Sequence, residues 1–403
     1  PGQLGIYGFR NRSDYSYGAL NVATSRHVRE DRVWDILSRL GKRSLIVGVP
    51  GTFPPPQIEG CVVADFLTPG KEVCYTHPPE LQATVEATVP EYRFDVVGFR
   101  THNKQAILDQ IFSMTSDRFR LARQLARDHD WDFFMLHEIG PDRIHHGFWS
   151  CIDPAHPRYE PGNPYEDCIL DYYRHLDAEI GKLIAELPEG TSILVASDHG
   201  AKAMKGGVCI NEWLMAMGYL KLKTPPRAPL PLARAEVDWA NTLAWGEGGY
   251  YARLFFNVQG REPQGILPAG EVNGFAEQLR RELLELADDQ GRPMRTAVYR
   301  PHELYRQVRG IPPDLTVLFD DLAWRSVGTV GLNSFYSLEN DTGPDDANHA
   351  MDGIFILAGQ DGRFPAGAVQ GATLFDVAPT ILELLEVAVP ADMIGRSLLR
   401  AQP

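Results

Sequence analysis

Short apolar segments that alternate with amphipathic segments restrict the fold of this chain more than any other feature. They are rich in β-branched and aromatic residues and show no in/out alternation, as in strands covered on both faces. Strand and helix patterns in alternation predict the α/β class, with a doubly wound, mostly parallel sheet flanked by helices. The predicted strands are Ser44–Val49, Phe94–Gly98, Asp132–His137, Ser192–Ala196, Leu315–Phe319 and Gly353–Ala358.

Apolar residues at three- and four-residue spacing predict the helices between these strands. The predicted helices are Arg32–Leu40, Lys104–Asp128, Tyr165–Leu187 and Thr373–Leu385. Gly41 follows the first of them and is placed to end a helix in a left-handed conformation.

The pattern changes from about residue 250 to about residue 312. Tyr250–Val258 alternates like a more solvated strand, and Gly274–Asp288 has a helical pattern. We expect a small α+β lobe inserted into a single domain that spans residues 1–403. The proline-rich segment Lys221–Pro231 predicts a surface loop.

Composition excludes several classes of protein. The 403 residues include 53 acidic and 39 basic side chains, for a net charge of −14, which argues against a binder of nucleic-acid polymers or anionic membranes. No apolar run approaches the ~20 residues needed to span a bilayer. Five scattered cysteines without C-x-x-C spacing favour free thiols in a reducing compartment, and hence a cytoplasmic location. They are Cys61, Cys74, Cys151, Cys168 and Cys209.

Residue types that bind metals follow two of the predicted strands. Asp142 and His146 lie four residues apart after the third strand, and the adjacent Asp198 and His199 follow the fourth. His349 lies in the loop that enters the last strand. Ligands in open α/β sheets bind beyond the carboxyl ends of strands, so these side chains are candidates for one site.

The D-x-x-x-H spacing adds a geometric argument. If a helix starts after Gly140, Asp142 and His146 share one face and can bind the same ion, whereas His145 points about 100° away. Carboxylate and imidazole together suit zinc, with manganese or iron as alternatives, while calcium and magnesium prefer oxygen ligands.

The motifs together resemble the alkaline phosphatase superfamily, and within it the type I phosphodiesterase/nucleotide pyrophosphatase family. The resemblance rests on DRIHHGFW, the strand-ending SDHG, NHAMDGIFILAG and the closing LFDVAPTILELLEVAVPADMIGRSL. VPGTFPP, FLTPG, INEWL, NVQGREPQG and PPDLTV support it in the expected order along the chain.

This resemblance implies a site with two divalent metal ions. Asp142, His146 and His349 would hold one ion, and Asp198 and His199 would form part of the shell of the second. The nucleophile, a threonine or serine, and a further aspartate at the end of a first strand are expected before the segment PGQLGIYGF, and therefore upstream of Pro1. Thr52, in VPGTFPP, is a weak candidate for the nucleophile. A signal peptide upstream of Pro1 is compatible with the sequence.

The implied activity is metal-dependent hydrolysis of a small phosphodiester or pyrophosphate. Alternatives within the superfamily are a phosphomonoesterase, a phosphomutase and a sulfatase. A non-catalytic metal-binding homologue is the alternative outside enzymes.

Overall fold

The computed structural model describes residues 1–18, 20–359, 364 and 366–399, which form a mixed α/β structure. The prediction of the α/β class is confirmed. Within the part of the chain that the structure describes, every helix is too short or too polar to span a lipid bilayer.

The helices include the four that the sequence predicts. Lys104–Asp128 is helical over the predicted range, and the other three agree within a few residues. The α-helices are α1 (Val33–Arg39), α2 (Leu81–Thr88), α3 (Lys104–Asp128), α4 (Gly140–Ile152), α5 (Cys168–Glu186), α6 (Ile210–Ala216), α7 (Val272–Leu284), α8 (Pro301–Leu304) and α9 (Val377–Leu384). Gly41 follows α1 with a φ of 70°, as the sequence predicts.

The strands are short and belong to several sheets. They are β1 (Arg10–Asn11), β2 (Asn21–Val22), β3 (Ser44–Val47), β4 (Gly60–Val63), β5 (Thr76–His77), β6 (Phe133–Leu136), β7 (Ser192–Ala196), β8 (Gly200–Ala203), β9 (Gly206–Cys209), β10 (Leu230–Pro231), β11 (Ala244–Glu247), β12 (Ala252–Phe256), β13 (Ala297–Tyr299), β14 (Leu315–Leu318), β15 (Trp324–Val327), β16 (Thr329–Val330), β17 (Tyr336–Ser337), β18 (Ala347–Ala350) and β19 (Phe355–Gly359).

One sheet has four strands in the order β5-β4-β3-β6, and its last strand, β6, is followed in the chain by α4, which carries two of the predicted metal ligands. In it, β3 runs parallel to both β4 and β6. Leu45 and Val47 of β3 belong to the core that includes Leu121 of α3, whereas Ile46 packs in a second core with Trp34 of α1. Helices thus cover both faces of β3, which explains why the strand is apolar throughout.

Strand β7 carries the second pair of candidate ligands and pairs antiparallel with β19. Among the described residues, β6 pairs only with β3 and β7 only with β19, so each strand has one edge without a partner strand there. Strands β6 and β7 are mostly half-buried despite their apolar sequences. Strand burial therefore differs sharply between β3 and these two strands.

A separate antiparallel sheet has the order β11-β12-β14-β13. All five residues of β12 are buried, and α7 contributes Phe275 and Leu279 to the same core. The sequence pattern placed β14 among the strands of the mostly parallel sheet, but β14 pairs antiparallel with β12 and β13. The division of the chain into a main domain and an inserted lobe stays a prediction.

The predicted strand at Phe94–Gly98 is wrong. This segment is a loop, because the buried guanidinium of Arg118 donates hydrogen bonds to the carbonyls of Arg93 and Phe94 in place of a neighbouring strand. Gly98 then turns the chain with a φ of 64°. Apolar composition alone does not distinguish such a loop from a buried strand.

Candidate metal centre

Helix α4 carries two of the predicted ligands on one face. It begins at Gly140, whose N–H donates to the Glu138 carboxylate over 2.8 Å. Asp142 lies in the first turn and His146 one turn later. The helical repeat therefore places their side chains together, with Asp142 Oδ1 3.3 Å from His146 Nε2.

A β-ladder brings His349 to the end of β7. His199 lies just before β8, which pairs antiparallel with β18 in a register that sets His349 opposite Ala201. The rings of His199 and His349 consequently stack, with their centroids 3.4 Å apart.

The structure brings Asp142, His199 and His349 into one cluster. One potential ligand atom from each residue lies within 4.8 Å of the other two. His349 Nε2 is 3.6 Å from Asp142 Oδ1 and 3.3 Å from His146 Nε2. Four of the five predicted residues therefore converge near the start of α4.

The fifth predicted residue, Asp198, borders this cluster on its solvent side. Its side chain is 76% exposed, and its Oδ2 is 3.5 Å from His199 Nε2. The two ligand sets that the family resemblance implies thus adjoin one another through His199 and His349.

A buried carboxylate orients His146. Asp345 is fully buried and its Oδ1 is 2.7 Å from His146 Nδ1. An ionised carboxylate only accepts hydrogen bonds, so His146 Nδ1 carries a hydrogen and its Nε2 faces Asp142 and His349. Arg100 and Arg325 form ion pairs with the other Asp345 oxygen.

The electrostatics show that this arrangement favours a cation. Burial by itself lowers the pKa of His146, but the carboxylates of Asp142 and Asp345 outweigh it and raise this pKa to about 9. Burial would raise the pKa of the Asp142 carboxyl, yet His146, His349 and Arg143 hold it well below its usual range. Burial also lowers the pKa of His349, with His199 and His146 adding to the effect against the pull of Asp142.

The residues present fit a divalent metal ion. One carboxylate oxygen and two imidazole nitrogens face one another at 3.3 to 3.6 Å. Such acceptors repel unless a proton or a metal cation lies among them, and zinc is commonly bound by this combination of ligands.

Other histidines near the site have separate roles. His145 lies 3.2 Å from the Tyr173 hydroxyl, away from the cluster, and burial lowers its pKa to about 4. His156 is buried and contacts the carbonyl of Asp346 at 3.0 Å. Thr52 is also buried and donates its hydroxyl to the Val49 carbonyl, which does not suit a nucleophile.

Two neighbours of the cluster were not found from the sequence. Tyr250 stacks on His349 with centroids 3.7 Å apart, opposite His199. Arg143 pairs with Asp142 and, through two nitrogens at 2.6 and 2.7 Å, with Asp95. No spacing in the sequence links Tyr250 to the other residues. Arg143 directly follows the predicted ligand Asp142, and this adjacency was the sequence signal that could have identified it.

A cavity of about 370 Å³ opens beside these two neighbours. Tyr250 and Arg143 line it together with the aromatic rings of Phe9, Phe66 and Phe99. The cavity therefore shares its wall with residues that contact Asp142 and His349.

Comparison with known proteins gives one family match and several solved structures. Residues 1–345 match the family described as type I phosphodiesterase/nucleotide pyrophosphatase. Comparison with curated proteins gives no match. Murine ectonucleotide pyrophosphatase/phosphodiesterase 5 is similar at 14% identity and a TM-score of 0.44, covering 92% of this chain and 75% of its own. Phosphonoacetate hydrolase from Sinorhizobium meliloti 1021 is similar at 14% identity and a TM-score of 0.48, covering 89% of this chain and 75% of its own.

Proposed function

We propose a function from the premise that this chain belongs to the type I phosphodiesterase/nucleotide pyrophosphatase family, which the match over residues 1–345 establishes. The chain is accordingly a phosphate ester hydrolase of the alkaline phosphatase superfamily. The proposal concerns its substrate, its metals and the residues that hold them.

The proposed reaction is hydrolysis of a small phosphodiester or pyrophosphate at a site with two divalent ions, zinc above all. The single observation that carries it is the convergence of Asp142, His146, His199 and His349 with their acceptor atoms facing one another. Bound divalent ions would lower the pKa of a nucleophilic hydroxyl and stabilise charge on the phosphate oxygens in the transition state.

Different residues are proposed to hold each of the two ions. Asp142, His146 and His349 are proposed for the first ion, with Asp345 fixing the tautomer of His146. His199 and Asp198 are proposed for the second ion. His199 Nδ1 lies 2.8 Å from the carbonyl of Gly200, so Nδ1 carries the hydrogen and Nε2 is the available ligand atom.

The proposed nucleophile is a threonine or serine hydroxyl. It would form a bond to phosphorus while the bond from phosphorus to the leaving oxygen breaks, and water would then cleave the phosphoryl-enzyme. This part of the proposal rests on the family resemblance alone.

The test measures bound metal and hydrolysis together. His349→Ala in the full-length protein should lower the zinc content, measured by elemental mass spectrometry, and abolish hydrolysis of bis-p-nitrophenyl phosphate. His302→Ala is the matched control, because His302 is exposed on α8, outside the cluster. Unchanged zinc content and turnover in His349→Ala would refute the proposed site.

Substrate comparison tests the reaction class. Turnover of bis-p-nitrophenyl phosphate should exceed that of p-nitrophenyl phosphate and p-nitrophenyl sulfate in the zinc-loaded protein. A preference for the monoester or the sulfate would contradict the proposed diesterase activity while leaving the metal site intact.

A further inference from the structure

The cavity beside the cluster combines aromatic and cationic side chains. Phe9 is 51% exposed and its ring meets the ring of Phe66 edge to face, with centroids 5.5 Å apart. Phe99 lies beneath the guanidinium groups of Arg100 and Arg143, at 5.0 and 5.2 Å. A substrate group that enters this cavity would contact apolar rings and guanidinium groups, with the carboxylate of Asp95 beside them.

The three arginines that line the cavity are not equivalent. Arg143 is paired with Asp95 and Asp142, and Arg100 is paired with Asp345. Within the described residues, the guanidinium of Arg10 forms no ion pair, although its charge acts through space on the carboxyl of Glu247. Arg10 is exposed at the cavity wall, so its charge is available to a ligand.

The backbone holds Arg10 in place. Arg10 belongs to β1, which pairs with β2, and its carbonyl accepts a hydrogen bond from the largely buried Arg253. The fixed backbone keeps Arg10 at the cavity wall, so only its side-chain rotamers have to be ordered when a ligand binds.

The cavity is also close to the reaction centre. Arg143 contacts Asp142 directly and Tyr250 stacks on His349, and both line the cavity. A phosphate held at the cluster would therefore carry one of its substituents into this space.

We propose that this cavity binds a substituent of the substrate phosphate that has an aromatic or apolar body and its own anionic group, which Arg10 recognises. The anionic group is a carboxylate or a second phosphate-like group. This inference rests on the proposed function and names its substrate class. It makes Arg10 a specificity-determining residue with no part in holding the metal ions.

Three probes that differ at one position test the inference. They are methyl aryl phosphates whose aryl ring bears a para carboxylate, a para phosphonate or a para carboxamide. The carboxamide has nearly the shape of the carboxylate without its charge. Wild-type kcat/KM should be at least about tenfold higher for one or both charged probes, as expected for a charge-assisted hydrogen bond. The better of the two identifies the anionic group.

Substitution of Arg10 should remove this preference. Arg10→Gln should bring the charged probes to within about twofold of the carboxamide through a higher KM, while Arg10→Lys retains part of the preference because it keeps the charge. Arg227→Gln is the matched control, since Arg227 is exposed in the proline-rich loop. Equal preference in wild type and Arg10→Gln, or no preference in wild type, would overturn the inference.

If the proposed hydrolase function is wrong, the probes give a result that differs from the outcomes above. In that case no probe is hydrolysed, and calorimetric titration with the carboxylate and phosphonate probes decides the inference. Binding of either that weakens about tenfold in Arg10→Gln supports it. Equal binding by wild type and Arg10→Gln, or binding of neither probe, rejects it.

Discussion

The strands β12 and β19 have similarly apolar sequences but very different surroundings. Every residue of β12 is buried between neighbouring strands and α7, and Leu254 has no exposed surface. In β19, Ile356 is 54% exposed, and the strand pairs only with β7 among the described residues. Similar apolar strands therefore contribute different amounts of free energy by burial, depending on the elements packed around them.

The two regions also differ in what their residues contribute, one to the apolar core and the other to the candidate metal cluster. The sheet that contains β12 holds a large apolar core but none of the candidate metal ligands. The ends of β7 and α4 hold the ligands, in a part of the molecule whose strands are half-buried. Changes in the two regions should therefore affect different measurements.

The largest effect is expected at the metal cluster. His199→Ala removes a proposed ligand that stacks on His349, so activity should fall by more than the roughly 100-fold typical of residues that only support a ligand. The urea midpoint of the metal-free protein should change little. Activity per folded molecule and the unfolding curve check both expectations. A fall in stability without loss of activity would contradict the assignment of His199 to metal binding.

Truncation of an apolar side chain should give the reverse result in the buried sheet. Leu254→Ala is expected to cost about 3 kcal/mol of unfolding free energy, because a cavity forms in a closed core. In the 403-residue chain, Ile356→Ala in β19 should cost less than about 1 kcal/mol, since Ile356 is already 54% exposed. Urea unfolding of both variants measures the difference. Equal costs would show that β19 is covered as fully as β12.

Asp345 should affect metal binding through its contact with His146. Asp345→Asn weakens the hold on His146 Nδ1 and leaves Arg100 and Arg325 without their carboxylate. Zinc affinity is expected to fall about 10- to 100-fold. Competition with a chelator measures it, with the exposed Asp289→Asn as control. Unchanged affinity would mean that His146 is oriented without Asp345.

The smallest effect concerns the segment before α9. Burial would raise the pKa of Asp376, but hydrogen bonds from the N–H groups of Arg396 and Thr373 lower it below its ordinary value near 3.8. A lowered folded-state pKa contributes stability above the ordinary value, and this contribution is lost as pH falls through the folded-state pKa. Between about pH 5 and pH 3, the urea midpoint of wild type should therefore fall more than that of Asp376→Asn. Parallel slopes would contradict this role.

Sequence reasoning located the longest helices and several of the strands because their patterns are local. The helical spacing of Asp142 and His146 predicted a shared face, and α4 confirms that prediction. The strand predicted at Phe94–Gly98 failed because Arg118, which is distant in sequence, binds its carbonyls. The pairing of β14 was missed for a related reason, since partner strands are not encoded in a short apolar run.

The amino-acid sequence was sufficient to identify the residue types that could bind metal and the longest helices, since both follow from chemistry and local periodicity. Three-dimensional packing was needed to show that His199 stacks on His349, that Asp345 orients His146, and that an arginine-lined cavity adjoins them. These contacts join residues from distant parts of the chain. Their geometry depends on strand register and helix packing, which no local pattern specifies.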